Sequence, residues 1–537
     1  MSRLVADFFA GRRLPVRLVA IFVGVMLAIP VLYPPVALYS AFADDFFFYG
    51  KVAKSISAGN GSTFGGIVAT NGYHPLWQMT LVPLFSLAGA LGIDGAIVCR
   101  LAIALIAAGA IALLGRYLGR WAPASPWRTA LFLFAACYYF LLARTGMEIV
   151  LSTPLMILFL EQVLAERKNG WLIGLLAALV VLARLDAALG LIVFFLAYAA
   201  LVRPSFTELL KIGVAGAAPV GAYLAINRVQ FGSLMPVSGL AKSVLHLGGF
   251  NAATFTSLFN GTYKITNPIA FALLATIALL TLGVWRRLRA EDKACTVGAF
   301  LSTPLFYLQN SLRSDWTLWT WYYYPILFSL LMLAPVVGVW IQAQREAGFR
   351  EHDQRPSPRG RAAAAAAGLY FLAMAAYAVR PGVGAMPQAG LAIREFSRTH
   401  PGVYAMGDQA GIVGYLLDEP MVQLEGLVMD AEYLRRFRAA KDLKEILDAY
   451  GVDYYVGFHL EKTADGKLRA VEPIQSRGRS ARLTADLAWP VVYEAARPAS
   501  LTAATGGSKD FVVQAILQRP ADDPKSADWI RPMSAKE

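Results

Sequence analysis

The chain has 537 residues, 57% of them hydrophobic and 16% charged, with a mean hydropathy of +0.50, against roughly 45–50% apolar and about 25% charged in ordinary globular protein. A single soluble domain is excluded. The formal charge of +13 is carried by residues 1–379, which hold 29 Lys and Arg against 15 Asp and Glu, while residues 380–537 hold 20 against 21. A basic excess ordinarily suggests a polyanionic partner, but here it lies between long apolar runs and reads as membrane topology, so no nucleic-acid partner is expected.

The first apolar run, Leu18 to Tyr39, meets the roughly 20 residues that a membrane-crossing helix needs. Arg3, Arg12, Arg13 and Arg17 precede it and place the N-terminus in the cytoplasm. Ala41-Phe42-Ala43 imitates a signal cleavage site, but the run is longer than the roughly 7–15 residues of a signal core, so an uncleaved anchor is expected. Further spans are expected near residues 96–115, 129–142, 149–165, 171–183, 187–202, 212–226, 269–285, 294–310, 325–341 and 362–379, eleven crossings in all. Leu76 to Leu91 is read as an in-plane or re-entrant helix, because counting it as a span would put Arg116, Arg120 and Arg128 outside. With that choice 20 of the 29 basic residues lie inside, as the positive-inside rule requires. Ala343 to Arg361 reads as a polar cytoplasmic loop.

Six carboxylates then fall on the outer side before Arg380: Asp44, Asp45, Asp94, Glu148, Asp186 and Asp315. None sits at the middle of a span, which argues against an ion-coupled transporter with a midplane site. Asp44-Asp45 is the densest feature. Adjacent residues on a helix do not share a face, and a partly desolvated carboxylate rises toward the range useful to a general base. Phe46 to Ile56 reads as an amphipathic interfacial helix whose Lys51 and Lys54 reach lipid phosphates. A Gly-rich turn, Gly59 to Gly66, follows. In Thr70 to Trp77, Tyr73 and Trp77 are expected to anchor at the interface, and His74 either hydrogen-bonds substrate or caps the helix starting at Pro75. The outer cations Lys242, Arg313, Arg144 and Arg184 read as interfacial anchors or as partners of neighbouring acids: Arg144 with Glu148, Arg184 with Asp186, Arg313 with Asp315. Cys99, Cys137 and Cys295 lie in or beside spans and imply neither a disulfide framework nor a Cys-rich metal site.

An odd number of spans sends residues 380–537 outside. Val403 to Met406, Val422 to Leu424 and Tyr454 to Gly457 read as strands, and Ala431 to Tyr450 as one or two helices, which together suggest a small α/β domain. Gly407 to Gly414 holds GxxxGxxG and not a dinucleotide fingerprint. Residues from Pro520 onward read as a disordered end.

The string from Asp44 to Trp77, with Asp-Asp after the first span, a Gly-rich Thr-Phe turn and Asn71-Gly72-Tyr73-His74-Pro75-Leu76-Trp77, resembles the first outer loop of GT-C glycosyltransferases. These polytopic enzymes use polyprenyl-phosphate-linked sugars. The likeness is to bacterial enzymes similar to the mycobacterial arabinofuranosyltransferases. Phe231-Gly232-Ser233-Leu234-Met235-Pro236 through Ala241-Lys242-Ser243 and Trp319-Thr320-Trp321-Tyr322-Tyr323-Tyr324-Pro325 support it, and Leu424 to Val428 is similar to the tails of the same enzymes, for which the resemblance implies a role in acceptor binding. The resemblance implies an α-helical polytopic membrane protein with in-plane helices in its first outer loop, in the bacterial inner membrane, plus a small extracytoplasmic α/β domain. It implies Asp44 as general base and Asp45 as its orienting neighbour. Substrate contacts are expected from Tyr49, Tyr73, His74, Lys242, Arg313, Trp321, Tyr322 and Tyr323, and the phosphate leaving group that the resemblance implies could be held by Lys242, Arg313, Arg144 or Arg184. The donor would be a polyprenyl-phosphate-linked pentofuranose, such as arabinofuranose, or hexose, and the acceptor a hydroxyl of a cell-envelope glycan, lipid or protein. A metal is not indicated and a monomer is expected. The alternatives are a transporter or flippase of a lipid-linked substrate, or a ligase moving a preassembled glycan.

Overall fold

The computed structural model describes residues 15–244, 246, 248–261, 263–346, 358–382, 384–472, 482–494 and 511–533. Arg3, Arg12, Arg13 and most of the basic loop expected over Ala343–Arg361 lie outside the described residues.

All eleven apolar runs are helical. Seven helical stretches among the described residues are long and apolar enough to cross a membrane: Gly95–Trp121, Pro126–Ala143, Leu185–Val202, Phe206–Phe231, Tyr263–Arg287, Thr320–Glu346 and Pro358–Ala378. Val16–Leu32, Ile149–Leu164 and Gly170–Ala183 are shorter apolar helices, as is Pro75–Leu91. The first run differs from its expected form. It is helical over Val16–Ala28, tightens to a 3-10 turn at Ile29–Leu32 and resumes at Pro35–Ser40, because Pro30, Pro34 and Pro35 lack the amide hydrogen and crowd the preceding turn.

Leu76–Leu91 forms most of the helix Pro75–Leu91, which ends at Gly92 with φ 65°, a left-handed stop that favours glycine. Trp77 at its start is fully buried, so it belongs to the core and is not an interfacial anchor. The helix Asp44–Ser57 also departs from expectation: Phe46 to Gly50, Val52 and Ala53 are all buried. Its lysines turn toward the tail instead of toward lipid. Lys51 Nζ donates to the Leu417 carbonyl, and Lys54 lies 3.6 Å from Asp418.

The tail builds one mixed sheet. β1 (Tyr404–Met406) lies parallel to both β2 (Met421–Gln423) and β3 (Tyr454–Lys462). β3 also runs antiparallel to β4 (Leu468–Glu472) and β7 (Phe511–Gln518); β5 (Leu483–Leu487) pairs with β4, and β6 (Val491–Glu494) with β7. The helices Ala431–Ala439 and Leu443–Ala449 occupy the stretch where one or two were expected. The described part of the end from Pro520 is ordered. Lys525 lies 2.6 Å from Asp453, Trp489 Nε1 donates to Asp523 at 2.6 Å, and Trp529 closes over Gly451. Its polar composition conceals these long-range partners.

The sheet and the first loop meet backbone to backbone. Met421 N donates to the Gly65 carbonyl at 3.0 Å, and a Cβ on Gly65 would fall 1.7 Å from the Met421 carbonyl oxygen. At Gly72 the same atom would fall 1.9 Å from the Leu427 oxygen. These glycines permit an approach that any side chain forbids. Gly72→Ala is therefore expected to cost about 1–3 kcal/mol and lower the thermal midpoint of the detergent-solubilised protein, whereas Gly213→Ala, with open space at its Cβ, leaves the midpoint unchanged or raises it.

Candidate active site

Asp44 and Asp45 begin a helix, and the turn of about 100° between neighbours sends them to different surroundings. Asp44 is taken by the tail. Its Oδ2 accepts from Gly411 N and its Oδ1 from Ile412 N, both at 2.9 Å. Burial pushes its carboxyl up to about 7, in spite of these two bonds. Asp45 faces a cleft of about 860 Å³, counting its open mouth, that also receives Lys242, Trp316, Trp319, Trp321 and Tyr322. It accepts no hydrogen bond among the described residues. Burial raises its carboxyl to about 6; Lys242 opposes this, and Glu148 and Asp408 add to it.

Lys242 sits on the short helix Val237–Val244, which the first loop fixes through Asn71 Oδ1, an acceptor for Val237 N at 3.0 Å. Its Nζ donates to the Tyr322 hydroxyl and lies 5.0 Å from that ring's centroid and 5.8 Å from that of Trp316. Burial works against its charge, but Tyr322 and Asp45 outweigh it and hold the ammonium above its ordinary range.

Behind Tyr322 lies an ion cluster centred on a buried guanidinium. Arg184, 0% exposed, meets Glu148 at 2.7 Å and Asp186 at 3.0 Å, and its guanidinium carbon stands 4.9 Å from the Tyr322 ring and 4.2 Å from Tyr324. His74 Nδ1 accepts from Leu185 N at 3.0 Å, so the proton of the neutral ring is on Nε2, 3.2 Å from Glu148. Burial alone would raise the Glu148 carboxyl, but Arg184 and His74 hold it down to about 2. An acid this firmly ionised is a fixed counter-charge and a poor proton acceptor.

The expected site residues divide. Asp44, Asp45, Lys242, Trp321 and Tyr322 line the cleft, while Tyr49, Tyr73, His74, Arg313 and Tyr323 are not among its lining residues. The Tyr49 hydroxyl accepts from His74 N at 3.2 Å, Tyr73 meets Ser62 at 2.8 Å, and Tyr323 donates to the Ser257 carbonyl. His74 neither faces the cleft nor caps with its side chain; it braces Glu148. Arg313 is exposed and has no acidic partner among the described residues, because Asp315 turns to His246 at 2.9 Å. Glu148 likewise pairs with Arg184 and not Arg144.

Asp408, Gln409, Glu425 and Leu427, all from the tail, complete the wall; Glu425 and Leu427 belong to the Leu424–Val428 string that the resemblance links to acceptor binding, whereas Asp408 and Gln409 were not expected there. The available signal for these two was the conformationally unusual string Gly407-Asp408-Gln409-Ala410-Gly411.

No family model and no curated protein sequence matches the chain. Among solved structures, ArnT from Cupriavidus metallidurans in the apo state aligns with a TM-score of 0.50 at 12% identity, over 91% of this chain and 97% of that one. The chain has an ArnT-like fold. ArnT from the same organism bound to undecaprenyl phosphate aligns at 12% identity over 94% of this chain and 99% of that one, with a TM-score of 0.48. The likeness to apo ArnT bears out the expected mostly helical architecture at the level of fold.

Asp44→Asn would leave one acceptor and turn an amide donor toward a backbone N–H. The cost is expected to be about 1–3 kcal/mol, read as faster deuterium uptake in peptides covering residues 404–416, whereas Asp45→Asn leaves that uptake unchanged.

Proposed function

We propose that the protein is a membrane glycosyltransferase that moves a sugar from a polyprenyl-phosphate donor to a hydroxyl acceptor at the outer face of the cytoplasmic membrane. The observation that carries this reading is Asp45 facing Lys242 across one cleft: a carboxylate without hydrogen-bond donors beside a fixed, charged ammonium. Asp45 takes the proton of the acceptor hydroxyl, the acceptor oxygen forms a bond to the anomeric carbon, and the bond from that carbon to the phosphate oxygen breaks. The electron pair leaves with the polyprenyl phosphate, whose added negative charge Lys242 stabilises. Holding both reactants in the cleft supplies much of the remaining rate. An apolar cleft of about 400 Å³ between helices, lined by Met156, Leu191, Phe306 and Phe328, reaches Asp186 beside Arg184 and suits an isoprenoid tail arriving from the membrane.

In this reading Asp45 replaces Asp44 as the base, because both Asp44 oxygens are occupied by backbone amides. Residues 1–379 form the membrane part and 380–537 the outer α/β part. The sugar is a pentofuranose or a hexose; the likeness to ArnT does not single out the arabinofuranosyl donors suggested by the first-loop string.

Purified protein given polyprenyl-phosphate-linked arabinofuranose or glucose, together with a cell-envelope extract as the source of acceptor hydroxyls, should release polyprenyl phosphate, and Asp45→Asn should lower this by about 10²–10⁴-fold. An active Asp45→Asn beside an inactive but folded Asp44→Asn would return the base role to Asp44. Because Asp45 must be ionised to accept a proton, the wild-type rate should fall as pH drops through about 6 and level off above it.

The orientation is separately testable. Cys99, Cys137 and Cys295 are buried and Asp465 is exposed, so Asp465→Cys should react with a membrane-impermeant maleimide added outside intact spheroplasts. Labelling only after lysis would invert the topology.

A further inference from the structure

A second cavity lies at the far end of the helix Asp44–Ser57 and shares no lining residue with the cleft. It measures about 1210 Å³, counting its open mouth. Phe85 and Ala88 reach it from the helix Pro75–Leu91, Ile93 and Asp94 from the start of the span Gly95–Trp121, and Arg394 and Tyr415 from the tail. Leu87, Leu91 and Ile93 are exposed, so the cavity adjoins apolar surface at the level where the span begins.

The two central charges of this cavity do not meet. Asp94 accepts from the Tyr39 hydroxyl, from the Tyr415 hydroxyl at 2.6 Å and from Ala96 N at 2.8 Å. These donors are all uncharged, and no cation is in ion-pair contact with Asp94 among the described residues. Arg394, on the helix Ala385–Ser397, has no acidic partner and no acceptor for its guanidinium among the described residues, and its Nε is buried. A donor shut from water without an acceptor is costly. The ion pair at the rim, Lys54 with Asp418 at 3.6 Å, is exposed and neutralises neither group.

A positive and a negative group that face one cavity without touching match a ligand carrying both signs. Guanidinium binds phosphate through two parallel N–H donors. A carboxylate accepts at about four sites; at Asp94 the two hydroxyls and the amide take three, which leaves room for an ammonium. The apolar surface at Leu87, Leu91 and Ile93 adds a place for acyl chains.

We propose that this cavity binds the headgroup of a zwitterionic, primary-amine phospholipid of the phosphatidylethanolamine type, its phosphate on Arg394, its ammonium on Asp94 and its chains along Leu87, Leu91 and Ile93. Such a lipid ties the tail to the membrane part, because Arg394 belongs to one and Asp94 to the other. The proposal goes beyond the transferase reading and does not depend on it.

Native mass spectrometry of the delipidated full chain in detergent tests this, with phosphatidylethanolamine, phosphatidylglycerol and soluble phosphoethanolamine as probes. Phosphatidylethanolamine should bind at least about tenfold more tightly than phosphatidylglycerol, which lacks the ammonium, and than phosphoethanolamine, which lacks the chains. Arg394→Gln should weaken phosphatidylethanolamine binding about tenfold and leave the thermal midpoint of the lipid-free protein unchanged, because it breaks no ion pair. Asp94→Asn, which keeps an oxygen acceptor, should erase the preference over phosphatidylglycerol, and Arg313→Ala, at an exposed cation outside the cavity, should change nothing. The proposal is overturned by equal binding of the two lipids to wild type, by unchanged phosphatidylethanolamine binding in Arg394→Gln, or by an equal loss in Arg313→Ala, which would mark unspecific attraction around the membrane belt. Phosphoethanolamine binding as tightly as the intact lipid would also overturn it and make the cavity a site for a free phosphoester. If Asp94→Asn does not fold, the two-lipid comparison on wild type and Arg394→Gln decide the matter. None of these readouts involves sugar transfer, so their outcome and that of the transferase reading are separable.

Discussion

The two hydrogen bonds from Gly411 N and Ile412 N to Asp44 hold together parts of the chain more than 360 residues apart, and the cleft depends on them. They bring the turn Gly407–Gln409 against the first loop. They also commit Asp44, so that its neighbour, rotated about 100° around the helix, is the carboxylate left facing open space. Burial opposes the charge that makes the bonds strong, and the close approach needs glycine: a Cβ on Gly411 would lie 2.3 Å from the Asp44 carbonyl oxygen.

Around that junction charge is arranged in two depths. The deep layer sets the one guanidinium of Arg184 against the carboxylates of Glu148 and Asp186, with His74 bonded to Glu148, so its charges are already engaged with one another. The outer layer, Asp45 and Lys242, interacts without a direct hydrogen bond between its members and so can engage a ligand. Tyr322 joins the layers, accepting from Lys242 on its hydroxyl while its ring faces Arg184. A buried cation deprived of its acid would carry a large desolvation penalty, which explains why Arg184 is flanked by two carboxylates.

Much of the helical framework was legible because a membrane helix is encoded locally, as a run of apolar residues that needs no knowledge of its neighbours. β1 to β3 were legible for the same reason, being short apolar runs. β4 to β7 were not: β4 and β5 alternate between buried and exposed positions, and the pairing of β7 with β3 joins residues as distant as Tyr454 and Gln518. Position within the site was also readable, since Asp44, Asp45, Lys242, Trp321 and Tyr322 could be placed on one face by counting spans and loops. Roles were harder. Which aspartate is occupied depends on an amide from the far end of the chain, and the pairing of His74 with Glu148 follows from a contact with Leu185 that no spacing encodes. The end after Pro520 looked solvated because its charges, Asp523 and Lys525, find their partners on Lys444 and Asp453, far away in sequence.

The glycines at 65 and 72 carry a consequence for how such a protein can diverge. Their carbonyl-contacting approach to Met421 and Leu427 leaves no slack in which an altered tail could be accommodated, so the first loop and the strand edge it touches must be inherited as one unit. A chimera that exchanged residues 380–537 alone would cut through that unit. The natural boundary for exchange follows the surface of contact rather than any single point along the chain.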